Sequence, residues 1–213
     1  MTRWKRVTKK TIKYNTGFST GSLLFKESEA IISNIQYAES FLAGEEVIPY
    51  TVIPVNSESS QKRLHREVTK RLKSLDNPLF IDLYQTVNKE DKLLILFYAA
   101  CKMYQVIADF MLDTVLSKWY NMDKDITAFD FQSFLYKQMD SHPELESLTP
   151  NTMKKLSQVV MRMLSELGMQ KNNTLHKVVF NQRVLEAIVT NGDSWYLEVL
   201  LLNESERQEI LGR

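Results

Sequence analysis

Residues 59–75, SSQKRLHREVTKRLKSL, place apolar side chains at three- and four-residue spacing, and that period predicts an amphipathic helix. On a helical wheel Leu64, Val68, Leu72 and Leu75 fall on one narrow arc, while Lys62, Arg63, Arg66, Lys70 and Lys73 fall within an opposite arc of about 100°. Glu67 and Arg71 lie between the two faces. The same pattern returns at 150–167, with Met153, Leu156, Val160, Leu164 and Leu167 on the packing side and Asn151, Lys154, Lys155, Gln158, Arg162 and Ser165 on the other. Thr149 as cap, Pro150 in the first turn and Gly168 just past the end punctuate this second helix.

Around these two helices the pattern predicts further helical segments. One starts near Ser19 or Thr20, and a short one covers QYAESFLAG, closed by Gly44. A Pro-punctuated connector leads to Ser57 or Ser59 as the cap of the first amphipathic helix, which Asn77-Pro78 ends. LFIDLYQTV follows, then a long helix capped by Asn88 and running to about Tyr120, apolar on most sides of its first half and so the central core element. TAFDFQSFLYKQMD and PELESL give two more helices ahead of Thr149. MQKNNTLHKVVF reads as a two-stranded ribbon turning at Asn172-Asn173, and two or three short helices close the chain. The expected fold is all-α, a multi-helix bundle with helix-turn-helix-like units and a small C-terminal β-hairpin wing. Its expected parts are a basic N-terminal arm at 1–18, a helical domain at 19–120 and a winged helix-turn-helix-like domain at 121–213.

Composition agrees: 213 residues with only six Gly and five Pro favour long helices over a turn-rich sandwich. The apolar run LLILFYAAC at 93–101 is too short to cross a bilayer and is expected to be a buried core helix, so membrane insertion is not expected. The cationic start carries no signal-peptide core, which points to the cytoplasm, and the N-x-S/T triplets at Asn172 and Asn203 then match by chance. A lone cysteine, Cys101, excludes an internal disulfide and is expected to be an inert core residue.

Net charge is +1, yet the charges are segregated. Residues 1–26 hold seven Lys/Arg and no acid, 57–75 hold six against two, and 149–183 hold six against one, while acids collect at 121–148 and 186–213. Segregation of this kind creates a local field that attracts a polyanion. A helix that only needs solubility interleaves Glu with Lys one turn apart; like charges at that spacing repel, so an uninterrupted cationic row points to an external anion.

The candidate DNA-binding residues are Arg3, Lys5, Arg6, Lys9 and Lys10 of the arm; Lys62, Arg63, Arg66, Lys70 and Lys73 of the first helix; Asn151, Thr152, Lys154, Lys155, Gln158 and Arg162 of the second; and Lys171 and Lys177 of the ribbon. Asn and Gln can bond adenine edges, whereas Arg and Lys bond guanine edges or phosphates. The expected partner is double-stranded DNA, held mainly through phosphates. An adaptor docking acidic protein partners and an RNA-binding protein are the rivals.

Catalytic chemistry is not expected. His65, His142 and His176 have no ligand-spaced Cys or carboxylate partners and are expected at the surface or in grooves. Asp109 and Asp113 share a helix face suited to salt bridges within the bundle. GFSTGS at 17–22 lacks the Gly-Lys-Ser/Thr ending of a phosphate-binding loop and reads as a helix cap whose N–H groups could hold one DNA phosphate. No cofactor or metal is expected.

In order and spacing, YNTGFSTGSLLFKESEAI, SESSQKRLHREVTKRLKSL, LLILFYAACKMYQVIADFMLDTVLSKW and FDFQSFLYKQMDSHPELESLTPNTMKKLSQVVMRMLSELGM resemble the BrxA family of bacterial BREX phage-defence systems, across roughly residues 14–200. The resemblance implies a small, non-enzymatic helical accessory protein, encoded beside a methyltransferase, ATPases and a phosphatase-like component, that contacts DNA or other BREX components. It brings no catalytic motif to carry over. Family members have also been labelled inner-membrane proteins, against which the short apolar run at 93–101 argues.

Overall fold

A computed structural model describes residues 13–212. The arm residues Arg3, Lys5, Arg6, Lys9 and Lys10 lie outside the described residues. The helices are α1 (Phe25–Ile32), α2 (Ala38–Ala43), α3 (Glu58–Lys73), α4 (Leu79–Thr86), α5 (Lys89–Met103), α6 (Gln105–Phe110), α7 (Leu116–Tyr120), α8 (Ala128–Gln138), α9 (Pro150–Glu166), α10 (Gln182–Thr190), α11 (Tyr196–Val199) and α12 (Glu204–Ile210). Strands β1 (Gln170–Lys171) and β2 (Thr174–Leu175) form the antiparallel hairpin, with Lys171 opposite Thr174.

The helical, hairpin-bearing class agrees with the pattern, and several ends fall where the punctuation puts them. Asn88 accepts from the Asp91 N–H, Thr127 and Asp130 form a capping box, and the Thr149 hydroxyl accepts from Thr152. Asn172 and Asn173 both adopt left-handed backbone, as a two-residue turn between right-twisted strands demands.

Two segments differ from expectation. Residues 17–20 form a short 3-10 turn, and the helix expected from Ser19 or Thr20 begins only at Phe25, after Leu24 in left-handed backbone. The long helix expected from Asn88 to Tyr120 breaks at Tyr104 and turns by 106°, and its second limb holds a π turn at Met111–Val115. Tyr104 is buried, donates to Glu67 at 2.6 Å and packs edge-on against Phe18. The bend lets both limbs bury their apolar sides in one core. Among the described residues no single helix is long and apolar enough to cross a membrane; the only apolar pair is this bent one, and Leu94–Cys101 is buried within the fold.

Tyr14 and Phe18 are buried, so the arm expected at 1–18 does not reach residue 18. One apolar core runs from Tyr14 to Leu202, across the expected boundary at 120/121. The C-terminal segment returns to α5 through Asp193. Its carboxylate accepts from the Tyr98 hydroxyl, from Trp195 Nε1 at 2.8 Å and from Asn191, and pairs with Lys102 at 3.2 Å. Burial raises the Asp193 pKa, but the Tyr98 and Trp195 hydrogen bonds and the Lys102 charge outweigh it and hold the group below the usual Asp range. A carboxylate depressed in the folded state stabilises above its unfolded pKa of about 3.9, and that contribution is lost as pH falls through the folded value. We expect Asp193→Asn to destabilise the protein by about 1–3 kcal/mol at neutral pH and by less in acid. Urea unfolding across pH should therefore give curves that converge below pH ~4.

Candidate nucleic-acid interface

Helix α3 packs against α1 and α5 with Leu64, Val68 and Leu72 buried. Its opposite face carries Arg63, Arg66 and Lys70, all exposed, and among the described residues none of them has an ion-pair partner. The remaining two members of the expected row are engaged. Lys62 pairs with Glu58 at 2.7 Å, which raises the Lys62 pKa and lowers that of Glu58. Lys73 is half-buried with its ammonium 5.7 Å from the centre of the Phe41 ring. Lys62, Arg66 and Lys70 meet Tyr50, His65 and Thr69 around one surface hollow of about 360 Å³.

Glu67 and Arg71, expected between the faces, are buried instead, because each satisfies the other. Arg71 Nε donates to Glu67 at 2.7 Å, and the remaining guanidinium N–H groups reach the backbone carbonyls of Ser22 and, at 3.1 Å, Gly21. Tyr104 supplies a second donor to the same Glu67 oxygen.

On α9, Asn151, Lys154, Lys155, Gln158 and Arg162 are exposed, with Lys154, Lys155 and Arg162 unpaired among the described residues. Met153, Leu156, Val160, Met163 and Leu164 are buried, and α8 and the hairpin pack beside them. Thr152 also serves the helix cap: its hydroxyl lies 2.9 Å from that of Thr149, and its N–H donates to the Thr149 hydroxyl at 3.2 Å.

The sole acid of the basic block 149–183, Glu166, closes a strap between the two cationic helices. Its carboxylate accepts from the Ser22 hydroxyl and from the Leu23 N–H at 3.0 Å, while Arg71 of α3 holds the carbonyls of Gly21 and Ser22 from the other side. Glu166 thus takes the hydroxyl at the end of the GFSTGS segment and the N–H just past it. A Cβ at Gly21 would stand 2.3 Å from the tip of the Leu24 side chain, which would have to shift to admit it.

In the ribbon Lys171 is exposed, but the Lys177 ammonium lies against the Glu206 carboxylate, lowering the Glu206 pKa. Lys177 is therefore neutralised within the fold. His176 is exposed and His65 lines the hollow, whereas His142 is buried and stacks on Tyr14 with ring centres 3.5 Å apart. Stacking explains its burial, since Tyr14 covers the ring that spacing alone placed at the surface. Asp109 accepts from the Tyr14 hydroxyl at 2.7 Å and from Gln105. Cys101 is fully buried, which pushes its thiol pKa up. Among the described residues no cluster of His, Cys, Asp and Glu is suited to hold a metal ion.

The cations therefore gather in two places: around the hollow on α3, and along α9 with Lys171 close by in the hairpin. The α9 residues do not line the hollow. Sequence reasoning missed Tyr50, His65 and Thr69, although His65 and Thr69 stand one turn apart on the helix wheel and that spacing was the available signal.

Comparison with known proteins gives a consistent answer. A BREX protein BrxA of Bacillus cereus (strain H3081.97) is 29% identical over 194 residues, covering 88% of this chain and 96% of that protein. A crystal structure of an uncharacterized protein from Magnetospirillum magneticum superposes with a TM-score of 0.73 at 20% identity, over 90% of this chain and all of that one. The family model named BrxA matches residues 12–192, and the chain therefore belongs to the BrxA family.

Proposed function

We propose that this chain is a cytoplasmic accessory protein of a BREX-type phage-defence system that acts by binding double-stranded DNA rather than by catalysis. The observation that carries the reading is the pair of outward rows, Arg63–Arg66–Lys70 on α3 and Lys154–Lys155–Arg162 on α9, which no carboxylate of the described residues neutralises. Such rows suit the phosphates of a duplex, whose condensed counterions they would release. On α9 the amides of Asn151 and Gln158 stand among the cations, which adds base-edge readout to phosphate contact.

The order of elements supports a winged helix-turn-helix reading of residues 105–175. The α6–α7 limb comes first, and Asp125 then bridges Thr174, with Ile126 N–H donating to Asn173 and Leu175 N–H to Lys124. Helix α8 follows, α9 stands as the reading helix, and the β1–β2 hairpin forms the wing. A protein partner among the BREX components is a second reading, favoured by Phe129 and Tyr136, two turns apart and exposed on α8.

Fluorescence anisotropy with a labelled duplex, titrated at several salt concentrations and repeated with structured RNA as competitor, tests the proposal. Duplex binding that weakens linearly in log salt and resists RNA supports it. No duplex binding near physiological salt supports the adaptor, and preferential loss to RNA supports an RNA target.

A further inference from the structure

The strap between α3 and α9 is built alike at its two ends. On α9, Glu166 stands one turn after Arg162 of the outward row; on α3, Glu67 stands one turn after Arg63 of the other row. An acid at that spacing ordinarily pairs with the arginine and cancels its charge. Here both acids turn aside to the strap. Glu166 accepts from the Ser22 hydroxyl and, at 3.0 Å, from the Leu23 N–H, while Glu67 accepts from Arg71, whose guanidinium holds the Gly21 and Ser22 carbonyls. Arg63 and Arg162 stay exposed, with no ion-pair partner among the described residues. The strap is itself anchored. Phe18 and Leu23 are buried, and Phe18 packs edge-on against Tyr104, which donates to Glu67, and against Phe131 of α8, which packs beside α9. On the helical wheel Glu67 and Glu166 each lie about 40° beyond the arginine that precedes them, so the strap borders both rows.

We propose that this strap sets the two rows as one unit, so that a single duplex engages α3 and α9 together, with Glu166 as the positioning residue on the α9 side. The inference rests on the DNA-binding reading above. Once the first row is seated, a second row held at fixed spacing meets its phosphates as an intramolecular event, and slack between the rows forfeits that gain. Glu166 is also an anion beside the α9 row, so charge and position act with opposite signs. Charge alone makes its removal tighten duplex binding; loss of position weakens it.

Two variants that remove the same charge separate these effects. In Glu166→Gln the amide oxygen still accepts from the Leu23 N–H and the amide N–H₂ donates to the Ser22 hydroxyl oxygen, whereas Glu166→Ala breaks both bonds. Anisotropy titrations of a labelled duplex at several salt concentrations, paired with circular dichroism, read the outcome. The glutamine variant is expected at or above wild-type affinity, with the wild-type salt slope of about five units for the six cations of the two rows. The alanine variant is expected at least roughly tenfold weaker than the glutamine variant, with its slope falling toward about three units, the share of one row. Ser22→Ala deletes one donor and no charge, and moves affinity and slope the same way by a smaller factor. Equal affinity and slope in folded glutamine and alanine variants overturns the positioning role and leaves duplex binding intact. If Glu166→Ala does not fold, wild-type affinity and slope in Ser22→Ala overturns it instead. A wild type that binds no duplex removes the DNA-binding reading, and this role with it.

Discussion

Replacing Arg63, Arg66 and Lys70 together by glutamate is expected to lower duplex affinity roughly a thousandfold near 0.1 M salt, because each phosphate contact contributes about one decade there. The slope of log affinity against log salt should become shallower by about three units, one per lost contact. The fold should survive. All three side chains are exposed and unpaired among the described residues, whereas the helix is anchored by Leu64, Val68 and Leu72 on its other side. Substitutions at such surface positions usually shift stability by only about ±0.5 kcal/mol. Anisotropy titrations paired with circular dichroism read both quantities. An unchanged slope in a folded variant removes α3 from the interface.

The second large effect is on stability. Arg71→Ala is expected to cost about 3–5 kcal/mol, the range for breaking a buried ion pair by deleting one partner. That is a large part of the roughly 5–15 kcal/mol that holds a domain together. The physical cause is local: without the guanidinium, the Glu67 carboxylate keeps only the Tyr104 hydroxyl among its named donors, and the Gly21 and Ser22 carbonyls lose theirs. The double substitution Glu67→Gln with Arg71→Met should recover much of the loss, since it removes the stranded charge. Urea denaturation of the single and double variants measures the difference. A single variant as stable as the wild type would show that the strap between α3 and α9 does not depend on this pair.

Helix positions and the outward rows were legible because period and capping are local properties. Thr149, Pro150 and Gly168 mark α9 within a few residues of one another, and the Asn172-Asn173 turn needs only two. What escaped was set by contacts distant in sequence. The chain KMYQV carries neither Pro nor Gly, so the bend at Tyr104 follows from its packing against Phe18 and Glu67, far back along the chain. Glu67 and Arg71 read as boundary residues on the wheel, and the Tyr104 hydroxyl together with the Gly21–Ser22 carbonyls, brought over by the 17–24 segment, turns them inward. Lys177 looked free until Glu206, 29 residues later, folded back onto it. A wheel shows which side of a helix a charge occupies, but not which charge from elsewhere will meet it.

The most direct test of the central claim is amine-reactive footprinting of the lysines with and without duplex DNA. With the rows of α3 and α9 against the phosphates, Lys70, Lys154 and Lys155 lose reactivity on binding, while Lys89, exposed at the start of α5 and over the Phe25 ring, keeps it. Protection at Lys89 with Lys70, Lys154 and Lys155 still reactive would contradict the account.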